Sequence, residues 1–104
     1  RDLVMVVVDP VVVLDCAVGV CGVDKAIMSQ RRVRGGGVVR GIAAELLYRY
    51  SGLTEAEIGG LLGGIDYGGV HQLRRRLRQQ IACDNNIKEK YLKVENAIKK
   101  LCSK

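Results

Sequence analysis

Apolar positions recur at helical spacing through most of this 104-residue chain. Between 38 and 50 they stand at Val39, Ile42, Ala43, Leu46, Leu47 and Tyr50. Alternating steps of three and one put them on one face, which predicts an amphipathic core helix. Ser51-Gly52 ends it. Thr54 followed by Glu57 is a capping box, so a short helix opens there, with Ile58, Leu61 and Leu62 turned inward. Gly63-Gly64 makes a turn. Asp66 caps a longer helix whose buried stripe is Val70, Leu73, Leu77 and Ile81. Asp84 caps a last helix, with Ile87, Tyr91, Val94, Ile98 and Leu101 inward and Lys88, Lys90, Lys93, Lys99 and Lys100 around the rest.

The start of the chain has a different pattern. Residues 3–8 are an unbroken apolar run that reads, alone, as a short strand. Asp9-Pro10 looks like a helix start, with Asp9 as N-cap and Pro10 in the first helical position. A helix from Pro10 to about Cys21 follows, against the strand preference of its valines, and Gly22 ends it. A short second helix is expected over 24–29. Residues 30–37, QRRVRGGG, are basic and glycine-rich and are expected to be irregular. The chain therefore divides into an N-terminal apolar segment, 1–9, packed on the domain or disordered, and one all-α domain over 10–104. The apolar stretch 3–23 approaches the length of a membrane span, but Asp9, Pro10 and Asp15 interrupt it, and a charge deep in a span is costly. The first residue is Arg1, which suggests a piece of a longer chain.

Composition narrows the core. There is no Phe or Trp and there are four Tyr, so the interior must be aliphatic and the helix packing thin. Four cysteines, Cys16, Cys21, Cys83 and Cys102, form no CxxC pair, and His71 is the lone histidine. That spacing is poor for zinc. Reduced, mostly buried thiols in a cytoplasmic protein are the simpler expectation; no metal and no cofactor is expected.

Charge changes the picture more. The net charge of +6 resides in residues 25–80, which hold ten basic and four acidic residues. A local basic field of that kind attracts polyanions. A short helix, a tight turn and a second helix bearing Arg74, Arg75, Arg76 and Arg78 are the parts of a helix-turn-helix.

Two stretches bear a family resemblance: LTEAEIGGLLGGIDYGGVHQLRRRL at 53–77 and SQRRVRGGGVVRGIAAELL at 29–47. With them, the segment 12–101 resembles the C-terminal DNA-binding domain of the bacterial replication initiator DnaA. It is also similar to the accessory domain at the C-terminus of REP-associated tyrosine transposases, to which IDY…V…LRRRL is closer. The resemblance implies a compact all-α fold of the Trp-repressor and DnaA C-terminal kind. It also implies that Asp66, Tyr67, Gly68 and Gly69 face major-groove bases, that Arg31, Arg32 and Arg34 lie in a loop entering the minor groove, and that Arg40 meets phosphate. The chain departs from the family pattern at Ile65, where the initiators have arginine, and at Gly68 and Gly69, where they have threonine. Two base-reading side chains are thus missing while the arginines remain. The phosphate loop of the initiators and the histidine pair of the transposases are both absent from this sequence, so neither catalytic centre is expected in it.

The function expected is binding of double-stranded DNA. Arg31, Arg32, Arg34, Arg40, Arg74, Arg75, Arg76 and Arg78 would supply phosphate or minor-groove contact. Asp66, Tyr67, His71 and Gln72 would reach base edges, with Gly68 and Gly69 between them. Tyr67 can equally pack in the turn, and His71 can equally be a plain surface residue. A protein-interaction or homodimerisation module without DNA affinity is the alternative, resting on the Val-rich start and the last helix. An enzyme ranks far below. Asp66 with His71 is the one conceivable acid–base pair, and five positions apart on a helix they point to different sides.

Overall fold

Local side-chain chemistry sets most of the helix ends in the computed structural model, which describes residues 8–23 and 36–102. Helix α1, Pro10–Cys21, starts where the Asp9 carboxylate accepts the Val11 N–H at 2.9 Å. It stops at Gly22, whose left-handed backbone (φ 67°) returns its N–H to the Val18 carbonyl. Caps and the burial of Val13, Leu14, Cys16 and Ala17 override the strand preference of the valines. No strand occurs among the described residues. Residues 3–7 and the short helix expected over 24–29 lie outside them. Val8 is 5% exposed and packs on the domain. Its N–H donates to the Tyr50 carbonyl and its own carbonyl accepts from the Ser51 hydroxyl at 2.7 Å.

Helix α2, Gly36–Tyr50, is the centre of the fold. It starts at Gly36, so the irregular stretch expected over 30–37 is already helical in its last two residues. Residues 39–47 are all buried, the mark of a helix covered on every side. It packs against α1, against α3 (Glu55–Leu61), against α4 (Tyr67–Cys83) and against α5 (Asn85–Cys102). The core is aliphatic: Ile42, Leu46 and Leu47 from α2 meet Val13 of α1, Ile58 and Leu62 of the α3 segment, Val70 and Leu77 of α4, and Val94 and Ile98 of α5.

The α3–α4 unit is built as the sequence implies. Thr54 accepts the Glu57 N–H at 3.2 Å, and Glu57 accepts the Thr54 N–H at 2.9 Å. Asp66 accepts the Gly69 N–H at 2.7 Å and opens α4. Between them the chain turns through Gly63 and Gly64, both in the left-handed region (φ 89° and 85°), where a side chain costs strain. The stripe residues Leu73 and Ile81 are half-buried beside fully buried Val70 and Leu77.

Two inward assignments are corrected. Leu61 is 40% exposed and Leu101 is 61% exposed. Leu61 ends α3 beside fully buried Leu62, which takes the inward position four residues after Ile58, and Leu101 lies in the last turn of α5, past the core. Cys83, expected with the buried thiols, is exposed at the end of α4. Among the described residues no helix is long and apolar enough to cross a membrane.

Candidate nucleic-acid interface

Helix α4 has two unlike faces. Its buried stripe packs on α2 and α3, and the opposite side exposes Tyr67, Gly68, His71, Gln72, Arg75, Arg76 and Arg78. No Asp or Glu occurs between Tyr67 and Cys83. The first turn of that exposed side is nearly bare backbone, because Gly68 and Gly69 follow Tyr67. Tyr67 is 69% exposed, so it does not pack in the turn. Asp66 is exposed too, with one carboxylate oxygen held by the cap.

Gly69 is set by packing. A Cβ there would stand 2.4 Å from the Ile65 Cγ2 and 3.2 Å from the capping Asp66 oxygen. A side chain at 69 would therefore require Ile65, packed under the first turn, to move. At Gly68 a Cβ would meet nothing nearer than 3.6 Å, so nothing in the fold requires that glycine.

Two of the arginines read as phosphate contacts are turned elsewhere. Arg74 points back into the domain, with only 11% of its side chain exposed. Its Nε donates to Glu45 of α2 at 2.8 Å and an Nη to Glu55 of α3 at 2.9 Å. Its guanidinium lies 3.7 Å from the centre of the Tyr48 ring, a close cation–π contact. Burial works against the charge of Arg74, and the hydrogen bonds and charges of Glu45 and Glu55 more than offset it, so the group is held cationic. Arg74 is thus a strut joining three helices. Arg40 is 7% exposed within the buried middle of α2, which leaves little of it for a phosphate to reach. Arg75, Arg76 and Arg78 remain outward, the last with a long contact of 3.5 Å from its Nε to the Arg74 carbonyl. Arg31, Arg32 and Arg34 lie outside the described residues.

His71 sits between the turn and these arginines. Its Nδ1 is 3.2 Å from the Glu55 Oε2, the same oxygen that accepts from Arg74. Helical phase sets Asp66 aside as its partner, as expected from the sequence; the fold supplies Glu55, from the neighbouring helix. Helical phase alone separates Asp66 from His71, whereas no local pattern joins residues sixteen apart.

A second polar cluster fixes the far end of α2. Tyr50 donates to Glu95 of α5 at 2.7 Å, and Arg49 lies 3.4 Å from the same carboxylate and donates to the Tyr91 hydroxyl. Burial, with that hydrogen bond to Glu95, pushes the Tyr50 phenol up to about 12. Among the described residues no three His, Cys, Asp or Glu side chains converge as a metal site would require.

No family model matches this chain, and no curated protein matches it.

Proposed function

We propose that the chain binds double-stranded DNA, with α3 and α4 acting as a helix-turn-helix and α4 entering the major groove. One observation supports this above the rest: the outward face of α4 exposes Arg75, Arg76 and Arg78 and has no acidic residue along its length. The three arginines fan across the solvent side of the helix, with Arg76 and Arg78 on opposite flanks, where they can meet phosphates on the two walls of a groove wide enough to admit that helix. The exposed first turn, with Tyr67, His71 and Gln72 beside bare glycine backbone, suits base edges rather than phosphate, because the exposed Asp66 carboxylate repels anions there. Arg31, Arg32 and Arg34 are proposed to reach a minor groove. The parent would be a DnaA-related or transposase-related bacterial protein acting in the cytoplasm, for which this chain serves as the accessory DNA-binding part and not as the enzyme.

The test compares two triple variants of equal charge loss on a random duplex. Replacing Arg75, Arg76 and Arg78 with Gln should weaken binding on the order of a hundredfold at low salt, about fivefold for each charge lost. Replacing Lys88, Lys93 and Lys99 of α5 with Gln should change it far less. Equal losses would mean that net charge, not the α4 face, attracts DNA.

A second reading is a homodimerisation module without DNA affinity. Its support is the exposed Val11 of α1 and Leu92 and Leu101 of α5. A tight dimer in sedimentation, with no binding to duplex DNA at low salt, would favour it.

A further inference from the structure

Glu55 belongs to α3, yet its carboxylate reaches the exposed face of α4. There Oε2 accepts from an Arg74 Nη at 2.9 Å and faces the His71 Nδ1 at 3.2 Å. Arg74 is itself held by Glu45 and Tyr48 of α2, so the Glu55 carboxylate is fixed in place rather than free to swing. An ionised carboxylate can only accept. The His71 nitrogen facing it must therefore donate, and a neutral His71 must carry its proton on Nδ1. Its Nε2 is then left as a bare acceptor. More than half of the His71 side chain is exposed, one turn along from Tyr67 and one turn before Arg75. This is the arrangement by which a carboxylate orients an imidazole and selects its tautomer.

We infer that His71 is a specificity-determining reader on the α4 face, oriented by Glu55 and changing its base preference with its own protonation. This rests on the DNA-binding reading above. With Nδ1 tied to Glu55, neutral His71 offers Nε2 as an acceptor, which matches the exocyclic amino group of adenine or cytosine. Protonated His71 offers Nε2–H as a donor, which matches N7 or O6 of guanine. Protonation also adds one positive charge to the face. The ring faces Glu55 from α3, which Arg74 of α4 ties to Glu45 and Tyr48 of α2, and Tyr67 and Arg75 stand one turn to either side of it along α4.

The first test needs no DNA. His71 is the chain's lone histidine, so its long-range nitrogen–proton NMR correlations are unambiguous. At alkaline pH the expected spectrum shows the Nδ1–H tautomer; the Nε2–H tautomer overturns the inference. The second test uses the whole chain on random duplex DNA at about pH 5 and about pH 8, across the range where imidazoles change charge. Binding should be roughly fivefold tighter at the lower pH, the size of one unit-charge contact in water. Site selection at the two values should shift at one position from cytosine, whose major-groove edge only donates, towards guanine, whose edge only accepts. His71→Gln should abolish both the pH step and the shift, so that whatever binding it keeps is the same at the two pH values. A pH step that survives in His71→Gln, or no shift in preference, overturns the inference and leaves the DNA-binding reading standing. No binding to duplex at either pH overturns both.

Discussion

The carbonyl oxygen of Ile65 lies 1.8 Å from where a Cβ on Gly59 would stand. The turn after α3 folds back on the helix so closely that the Gly64 and Ile65 N–H groups both donate to the Gly59 carbonyl, at 2.9 and 3.0 Å. The obstacle is backbone and cannot swing aside. Gly59→Ala should therefore cost about 3 kcal/mol or more, at the upper end of overpacking effects, read as a fall in the denaturant midpoint. Gly60, one residue on, has open space around its Cβ position, so Gly60→Ala should be neutral or stabilise by up to about 1 kcal/mol. Equal effects at the two positions would contradict this geometry.

Arg74 should matter to stability more than to charge. Arg74→Met strands the Glu45 carboxylate, which is 9% exposed, and removes the link from α4 to α2 and α3. Breaking a mostly buried pair from one side costs about 3 kcal/mol. Arg75→Met, on the open face, should shift stability by roughly 0.5 kcal/mol or less. Thermal unfolding of the two variants checks the contrast, and similar melting temperatures would mean that the Arg74 strut does not form.

Tyr50 gives the fold an alkaline limit. Its phenol is held protonated up to about 12, against the ordinary value of 10.0. Between those values the unfolded chain releases the Tyr50 proton and the folded one keeps it. The contribution is thus whole below pH 10 and lost as pH rises towards 12. Spectrophotometric titration should show a late phenolate step that is missing in Tyr50→Phe. A titration of Tyr50→Phe that keeps the late step would reassign it.

The α3 cap should behave as an isolated unit. Thr54→Ala removes the acceptor for the Glu57 N–H and should cost about 1 kcal/mol, whereas Thr54→Ser should cost little. Urea unfolding resolves a difference of that size.

Most of the fold was readable from the sequence because its boundaries are local. Asp9-Pro10, Thr54 with Glu57, Asp66, Asp84 and Gly22 act within a few residues of themselves, and the structure uses each as a cap. The inner stripes of α2, α4 and α5 were legible for the same reason, up to the ends of α3 and α5 where Leu61 and Leu101 turn outward. The candidate site was readable only in part. Arg74 looks like its neighbours in sequence, and its acids are nineteen and twenty-nine residues away. The Glu55–His71 pair is hidden in the same way. The glycines at 59 and 69 had no evident purpose in the sequence, because what crowds each is the later fold of Ile65 against it, its backbone at Gly59 and its side chain at Gly69. A sequence pattern records spacing along one helix; it does not record which helix will lie beside it.

The most direct measurement of the central claim is fluorescence anisotropy on random duplex DNA across a range of salt. Arg75, Arg76 and Arg78, each meeting a phosphate, give a slope of log K against log salt of about −2.7 or steeper, since each contact contributes about −0.9. The expected result is binding at low salt that weakens along such a slope. A flat salt dependence, or no binding at low salt, would contradict the claim and leave the α4 arginines as solvated surface.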